Sequence, residues 1–224
     1  MRGAGGFPGG RDDDVSRPRA IAPRGWQRML SGRRLEILDP SPLDVELDDI
    51  AHGIARVARW NGQTTGVYPF SVAQHSCLVE AIAFELSPAI DARCRLALLL
   101  HDASEYVVGD VVTPLKAALG ERFKEIENRI QAAIFIAFGL PGELPAEIRR
   151  IVKRADLCAA FVEATRLAGF SQQEAWRTFG RPDPVSDSIA PYLEPWATEV
   201  AADRFRERVR ACLPAQQRGH PALL

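Results

Sequence analysis

The chain has 224 residues, 46% of them hydrophobic and 25% charged, with a formal net charge of −1. A chain of this length buries a core without disulfides or structural zinc, and the balance is that of an ordinary globular protein. The near-neutral charge excludes a global basic field of the kind that grips nucleic acid, and no apolar stretch is long enough to span a membrane.

Taken in chain order, residues 1–22 are rich in Gly, Arg and Asp and are expected to be disordered. They contain no apolar core of a secretory signal, so the protein is expected in the cytoplasm. Arg33 to Pro40 reads as a short strand or hairpin leading in. Asp48-Asp49-Ile50-Ala51 opens a first helix, because acidic residues suit the positive end of the helix dipole. Its apolar face is Ile50, Ile54, Val57 and Ala58, and Asn61-Gly62 ends it. A second helix is expected over about 72–86, stopped at Ser87-Pro88, and a third over about 90–103. A fourth covers about 122–138, ended by Gly139 with Pro141 beyond, and a fifth runs over about 146–168 from Pro145 to Gly169. A last helix covers about 195–212, and a loose tail follows over 214–224. The class is all-α: a helical bundle over 23–213 with a short irregular or hairpin lead-in. Cys77, Cys94, Cys158 and Cys212 form no C-x-x-C pair and lie in apolar helical contexts, so they read as reduced core thiols.

The chemistry concentrates around His101-Asp102, which ends the apolar run Leu96 to Leu100. A buried carboxylate needs a partner, and only four histidines exist in the chain. With His75 upstream and Asp156 downstream the pattern is H…HD…D, two imidazoles and two carboxylates from three predicted helices. That donor set suits one divalent Mn, Fe, Co, Ni or Zn better than Ca, and helical bundles build metal sites in this way. Each residue has a plainer explanation. His75 can be a hydrogen-bonded core histidine, His101 can interact with a helix dipole, and Asp156 can pair with Arg154. All three must hold at once for the metal site to vanish. The next segment, Ala103 to Lys116, adds the carboxylates Glu105 and Asp110, with Gly109 and Pro114 marking a bend. Thr113 and Lys116 can meet a phosphate there. A cation with extra carboxylates beside it suits phosphate-ester hydrolysis, because the metal acidifies water and a carboxylate orients or deprotonates it.

The His75…His101-Asp102…Asp156 pattern resembles the signature of the HD-domain metal-dependent phosphohydrolases. Ala73-Gln74-His75-Ser76, His101-Asp102-Ala103-Ser104-Glu105, Gly109-Asp110, Thr113-Pro114, Lys116 and Lys153-Arg154-Ala155-Asp156 resemble more narrowly the bacterial 5′-deoxynucleotidase (YfbR-like) branch. They are also similar to its phage relatives that hydrolyse deoxynucleoside triphosphates, notably dATP. The likeness runs over roughly 25–170 and includes Ser31-Gly32-Arg33, Leu38-Asp39-Pro40 and Asp49-Ile50-Ala51-His52. It implies His75, His101, Asp102 and Asp156 as metal ligands. It implies Glu105 as the carboxylate acting on the attacking water, and Asp110 as a second acid/base or positioning group near the scissile phosphate. It further implies an Arg59-Trp60 pair on the first helix, Arg59 holding phosphate and Trp60 packing on sugar or base, with Lys116 as another phosphate contact. Read without the resemblance, Arg59 is a surface arginine and Trp60 a core aromatic. Gly62-Gln63-Thr64 departs from the Gly-His-Thr of the phage-like group. His52 reads as a helix-face packing residue. Glu163, seven residues after Asp156, is either a partner to a ligand or basic group or a surface carboxylate.

The function expected from the resemblance is hydrolysis of deoxynucleoside 5′-monophosphates or deoxynucleoside triphosphates, the latter with an additional Mg. The expected partners are a small nucleotide substrate and further copies of the same chain, with no nucleic-acid polymer and no membrane. Two alternatives stand beside it: an HD-type phosphodiesterase or alarmone hydrolase, and a helical module that binds metal or nucleotide without turnover.

Overall fold

The computed structural model describes residues 25–214. The expected segment 1–22 and all but the first residue of the expected tail lie outside the described residues. The lead-in is a hairpin: β1 (Trp26–Arg28) pairs antiparallel with β2 (Arg34–Glu36), Gln27 opposite Leu35. Leu35 points inward and is fully buried. The buried Asp49 carboxylate accepts from the Ser31 N–H at 3.0 Å and the Ser31 hydroxyl at 2.5 Å, pinning the hairpin loop to α1 (Leu47–Ile54).

Two expectations shift in this region. α1 stops at Ile54, not at Asn61-Gly62. Gly53 lets the backbone around Tyr106 approach so closely that a Cβ there would sit 2.7 Å from the Tyr106 Cβ. Beyond it the chain extends, Ala58 forms an isolated antiparallel bridge with Ser71, and Arg59–Gly62 make a tight 3-10 turn. Arg59 and Trp60 therefore stand on a turn, not on the first helix.

α2 (Val72–Leu86) has its expected bounds, with the Ser71 hydroxyl accepting from the Gln74 N–H and Pro88 beyond. It is the central helix, packed by α3 (Ala92–Leu99), α7 (Ala146–Arg166) and α9 (Thr198–Cys212). Being surrounded, it buries polar residues as well as apolar ones: Gln74, His75, Ser76 and Glu80 have no exposed surface. Three of them are partnered, and the Ser76 hydroxyl is not. The Gln74 carboxamide donates to the Tyr192 and Glu194 carbonyls and accepts from the Trp196 N–H. Glu80 is held by Arg95 at 2.5 Å and by Arg208. Two apolar clusters flank α2. One joins it to α1, α3, α9 and α6 (Glu121–Ala137) through Ile50, Leu99, Ile134 and Phe205, and the other to α3 and α7 through Leu78, Leu98 and Ala159.

The expected third helix ends early, at Leu99, and Leu100 to Ser104 make a turn into a single helical turn, α4 (Glu105–Val108). The segment read as a bend at Gly109 and Pro114 does reverse at Gly109, whose φ is 76°. Pro114 instead lies in the first turn of a helix, α5 (Thr113–Leu119), where its missing N–H is harmless. α8 (Gln172–Phe179), unanticipated, starts with a reciprocal capping box between Ser171 and Glu174. The four cysteines are buried thiols, as expected. Among the described residues no helix is long and apolar enough to cross a membrane.

Candidate metal centre

Three helical segments bring the H…HD…D residues to one point. His75 lies one turn into α2, His101-Asp102 in the turn after α3, and Asp156 midway along α7. His75 Nε2 is 3.3 Å from His101 Nε2, 3.4 Å from Asp102 Oδ2 and 3.5 Å from Asp156 Oδ1, and His101 Nε2 is 3.1 Å from Asp102 Oδ2. Ligand atoms of His75, His101 and Asp156 all lie within 4.8 Å of one another. Bonds of about 2.1 Å from one ion place neighbouring donors about 3.0–3.4 Å apart, so the spacing fits a single transition-metal cation.

The outer nitrogens support the same orientation. His75 Nδ1 faces Glu163 Oε1 at 2.5 Å and His101 Nδ1 faces the Leu98 carbonyl at 2.8 Å. An acceptor at Nδ1 places the proton there and leaves the Nε2 lone pair directed inward, the arrangement of metal-ligating histidines. The charges agree. Burial and Arg59 push the His75 proton affinity down, but Glu163, Asp102 and Asp156 outweigh them and hold it well above the ordinary histidine value. Burial raises the Asp102 and Asp156 carboxyls, yet the facing histidines win, holding Asp102 well below the usual range and Asp156 down to about 2. A cluster this eager for positive charge suits a divalent cation.

Around it stand the other expected residues. Glu105 opens α4 and is 3% exposed. Its Oε1 is 3.7 Å from Lys116 Nζ, and its Oε2 is buried without a hydrogen-bond partner. Burial, then Asp102 and Asp110, push its carboxyl up to about 9. Asp110, just past the Gly109 reversal, is raised by burial and Asp102 against the opposing pull of Arg59. Arg59 Nη1 lies 3.6 Å from Asp102 Oδ2 and 3.8 Å from Asp110 Oδ2. Lys116 on α5 reaches inward but is bound by Glu127 of α6 at 2.7 Å. Thr113 opens α5 exposed and joins none of these described contacts. His52 is half-buried on α1 and Gln63 exposed, both outside the described cluster.

Trp60 sits on the turn beside the metal cluster. Its φ of 58° and that of Asn61, 51°, lie in the left-handed region. Such strain persists only where surroundings hold it, and it concentrates at functional sites. The Trp60 ring meets Phe170 and Phe179 edge-on, with centroids 5.7 and 5.9 Å away. Glu163 is fully buried, not a surface carboxylate. Its seven-residue offset from Asp156 on α7 placed it on the right face, but its burial depends on how α7 meets α2. Phe170, Phe179 and Glu127 carried no local signal toward the site.

A family model described as an HD domain matches residues 55–174, a span that takes in all four donors. An uncharacterized protein of Rhodobacter capsulatus is 59% identical over 72% of this chain and 83% of its own length. The uncharacterized protein YfdR of Escherichia coli is 28% identical over 75% of this chain and 88% of its own. A 5′-deoxynucleotidase of Pasteurella multocida is 29% identical over 42% of this chain and 60% of its own. With more than half of its residues matched by that model, and His75, His101, Asp102 and Asp156 gathered at one point, the chain belongs to the HD-domain family.

Proposed function

We propose that this protein is a divalent-metal-dependent phosphohydrolase of nucleotides, and that deoxynucleoside 5′-monophosphates are its preferred substrates. The observation that carries the reading is the partnerless, buried Oε2 of Glu105 beside the four converging donors. A buried carboxylate oxygen without a partner is costly, and it suits a group that receives a hydrogen bond, and then a proton, from attacking water. His75, His101, Asp102 and Asp156 would hold the cation. When bound, it would polarise the phosphoryl group and acidify water.

The chain's own groups would do the rest. Glu105 takes the water proton, its raised proton affinity making it a stronger base than an ordinary carboxylate. Lys116 near Glu105 steadies that carboxylate and offers charge to a phosphate oxygen. Arg59 presents Nη1 between Asp102 and Asp110, where a phosphoryl oxygen can take over its pairing. Asp110, with its raised proton affinity, is placed to protonate the departing ester oxygen. Trp60, backed by Phe170 and Phe179, offers a flat apolar edge to the nucleoside.

The balance of charge supports a monophosphate over a triphosphate. Among the described residues, the Arg and Lys side chains paired with the cluster's carboxylates are Arg59, Lys116 and Lys153. They face Asp102, Glu105, Asp110, Asp156 and Glu163. A divalent cation and these three only offset those five carboxylates, so the site takes a phosphate monoester of about two negative charges more readily than a triphosphate of roughly twice that. The relative from Pasteurella, named a 5′-deoxynucleotidase, supports the same choice. The test is to load the protein with Co, Mn or Zn and identify products from each deoxynucleoside monophosphate and triphosphate. Inorganic phosphate and nucleoside from the monophosphates are expected. Release of triphosphate with no phosphate from monophosphates would reverse the substrate choice. No release from any of them would sink the hydrolase reading.

A further inference from the structure

One buried carboxylate touches both halves of this site. Glu163 projects from α7 with no exposed surface. Its Oε1 accepts from His75 Nδ1 at 2.5 Å. Its Oε2 accepts from Arg59 Nε and Nη2, each at 3.3 Å, and from Trp60 Nε1 at 2.9 Å. The same side chain thus holds a member of the donor cluster on one oxygen and the adjoining Arg-Trp turn on the other.

That turn needs holding. Trp60 and Asn61 both stand in the left-handed region, which is strained above all for a bulky residue such as Trp60. Its backbone is tied by the Arg59 N–H to the Phe70 carbonyl at 2.8 Å and by the Gln63 N–H to the Trp60 carbonyl at 2.9 Å. Neither bond fixes the direction of the Arg59 or Trp60 side chain. Glu163 does so for both, and the edge-on contacts with Phe170 and Phe179 position the indole from the other side. A cation bound at His75 Nε2 takes the place of a proton there and changes the charge on the ring, and with it the strength of Nδ1–H as a donor. The hold of Glu163 Oε1 on that N–H and the grip of Oε2 on Arg59 and Trp60 then change together.

We infer that Glu163 is a positioning residue that couples occupancy of the donor cluster by a cation to the orientation of Arg59 and Trp60. It rests on the metal-dependent nucleotide hydrolase reading for what Arg59 and Trp60 then hold. Coupling of this kind is reciprocal, so whatever orders Trp60 also tightens the cation.

The experiment is a titration of the full chain with Zn2+, which is diamagnetic, followed by the indole N–H signals of its four tryptophans and by the Arg59 Nε–H signal. Trp60→Phe assigns the Trp60 peak. In the unaltered protein Zn2+ should move the Trp60 and Arg59 signals and leave Trp26, Trp176 and Trp196 in place. In Glu163→Gln, which keeps the shape and removes the charge, that movement should be lost and Zn2+ affinity by chelator competition should fall about ten- to a hundredfold. Glu163→Asp keeps the charge but withdraws the oxygens, and it should behave like Glu163→Gln. Three results would each overturn the inference: an unmoved Trp60 signal in the unaltered protein, a response in Glu163→Gln equal to that of the unaltered protein, or Zn2+ affinity unchanged in both variants. The first of these needs no Glu163 variant to fold. No readout depends on turnover, so an inactive enzyme would remove the hydrolase reading and leave this result standing.

Discussion

Replacing Glu105 with Gln should make the protein more stable and nearly inactive, because the same buried setting that makes Glu105 useful makes it costly. The folded protein free of metal holds the Glu105 proton up to about pH 9, whereas the ordinary value is 4.5. Between those values the folded state carries a proton that the unfolded chain has released. Stability therefore falls as pH rises, by about 1.4 kcal/mol per pH unit, and is unaffected below 4.5. At pH 7.5, three units above 4.5, the ceiling is about 4 kcal/mol. Water entering the site and relaxation around it reduce this to about 1–4 kcal/mol. Glutamine has the same shape and no charge to bury. The metal-free Glu105→Gln variant should thus melt at least about 2 °C higher than the unaltered protein at pH 7.5. The difference should vanish near pH 4.5. Turnover with metal present should drop about 10²–10⁴-fold, the usual worth of a positioned general base. Thermal melts across pH 4.5–8.5 and initial rates check the two halves separately. A variant that melts lower at every pH, or that retains activity within tenfold, would refute the reasoning.

Other outcomes follow from the same geometry. Stripping the metal with a chelator should lower the melting temperature by about 5–10 °C when the ion had been present at about 100 times its Kd. Asp156→Asn, which removes one of the donors around His75, should lose that chelator response in the same melts. Arg59→Lys cannot span Glu163 on one edge while facing Asp102 and Asp110 on another. Its kcat/KM should fall by about one to two orders of magnitude in steady-state kinetics. Glu80→Ala strands Arg95 and Arg208 beside the core, so denaturant melts should show a loss of about 3 kcal/mol while metal affinity stays unchanged. The acid limb of kcat/KM should lie above the ordinary carboxylate value of 4.5, with activity rising as Glu105 loses its proton.

The parts of the fold legible in the sequence are those with local punctuation. α2 begins at a serine cap and stops at Ser87-Pro88, and its bounds came out as read. Gly139 and Gly169 follow the ends of α6 and α7, both with positive φ. α8 was missed, although Ser171-Gln172-Gln173-Glu174 has the spacing of a capping box. α1 was read too long because the apolar spacing of Val57 and Ala58 continues past Ile54. What ends the helix is distant in sequence: the approach of Tyr106 to Gly53 and the bridge from Ala58 to Ser71. The metal donors were legible because two imidazoles and two carboxylates in apolar helices have few other uses. Glu163 and the aromatic backing of Trp60 were not, because their meaning lies in packing between α7, α8 and a turn a hundred residues earlier.

The central claim is that water activated at the His75–His101–Asp102–Asp156 cluster attacks phosphorus. The most direct measurement is turnover of a deoxynucleoside 5′-monophosphate in 18O-labelled water by metal-loaded protein, with both products analysed by mass. The expected result is one 18O atom in the released phosphate and none in the nucleoside. Label in the 5′-hydroxyl of the nucleoside, or phosphate released without label, would contradict it.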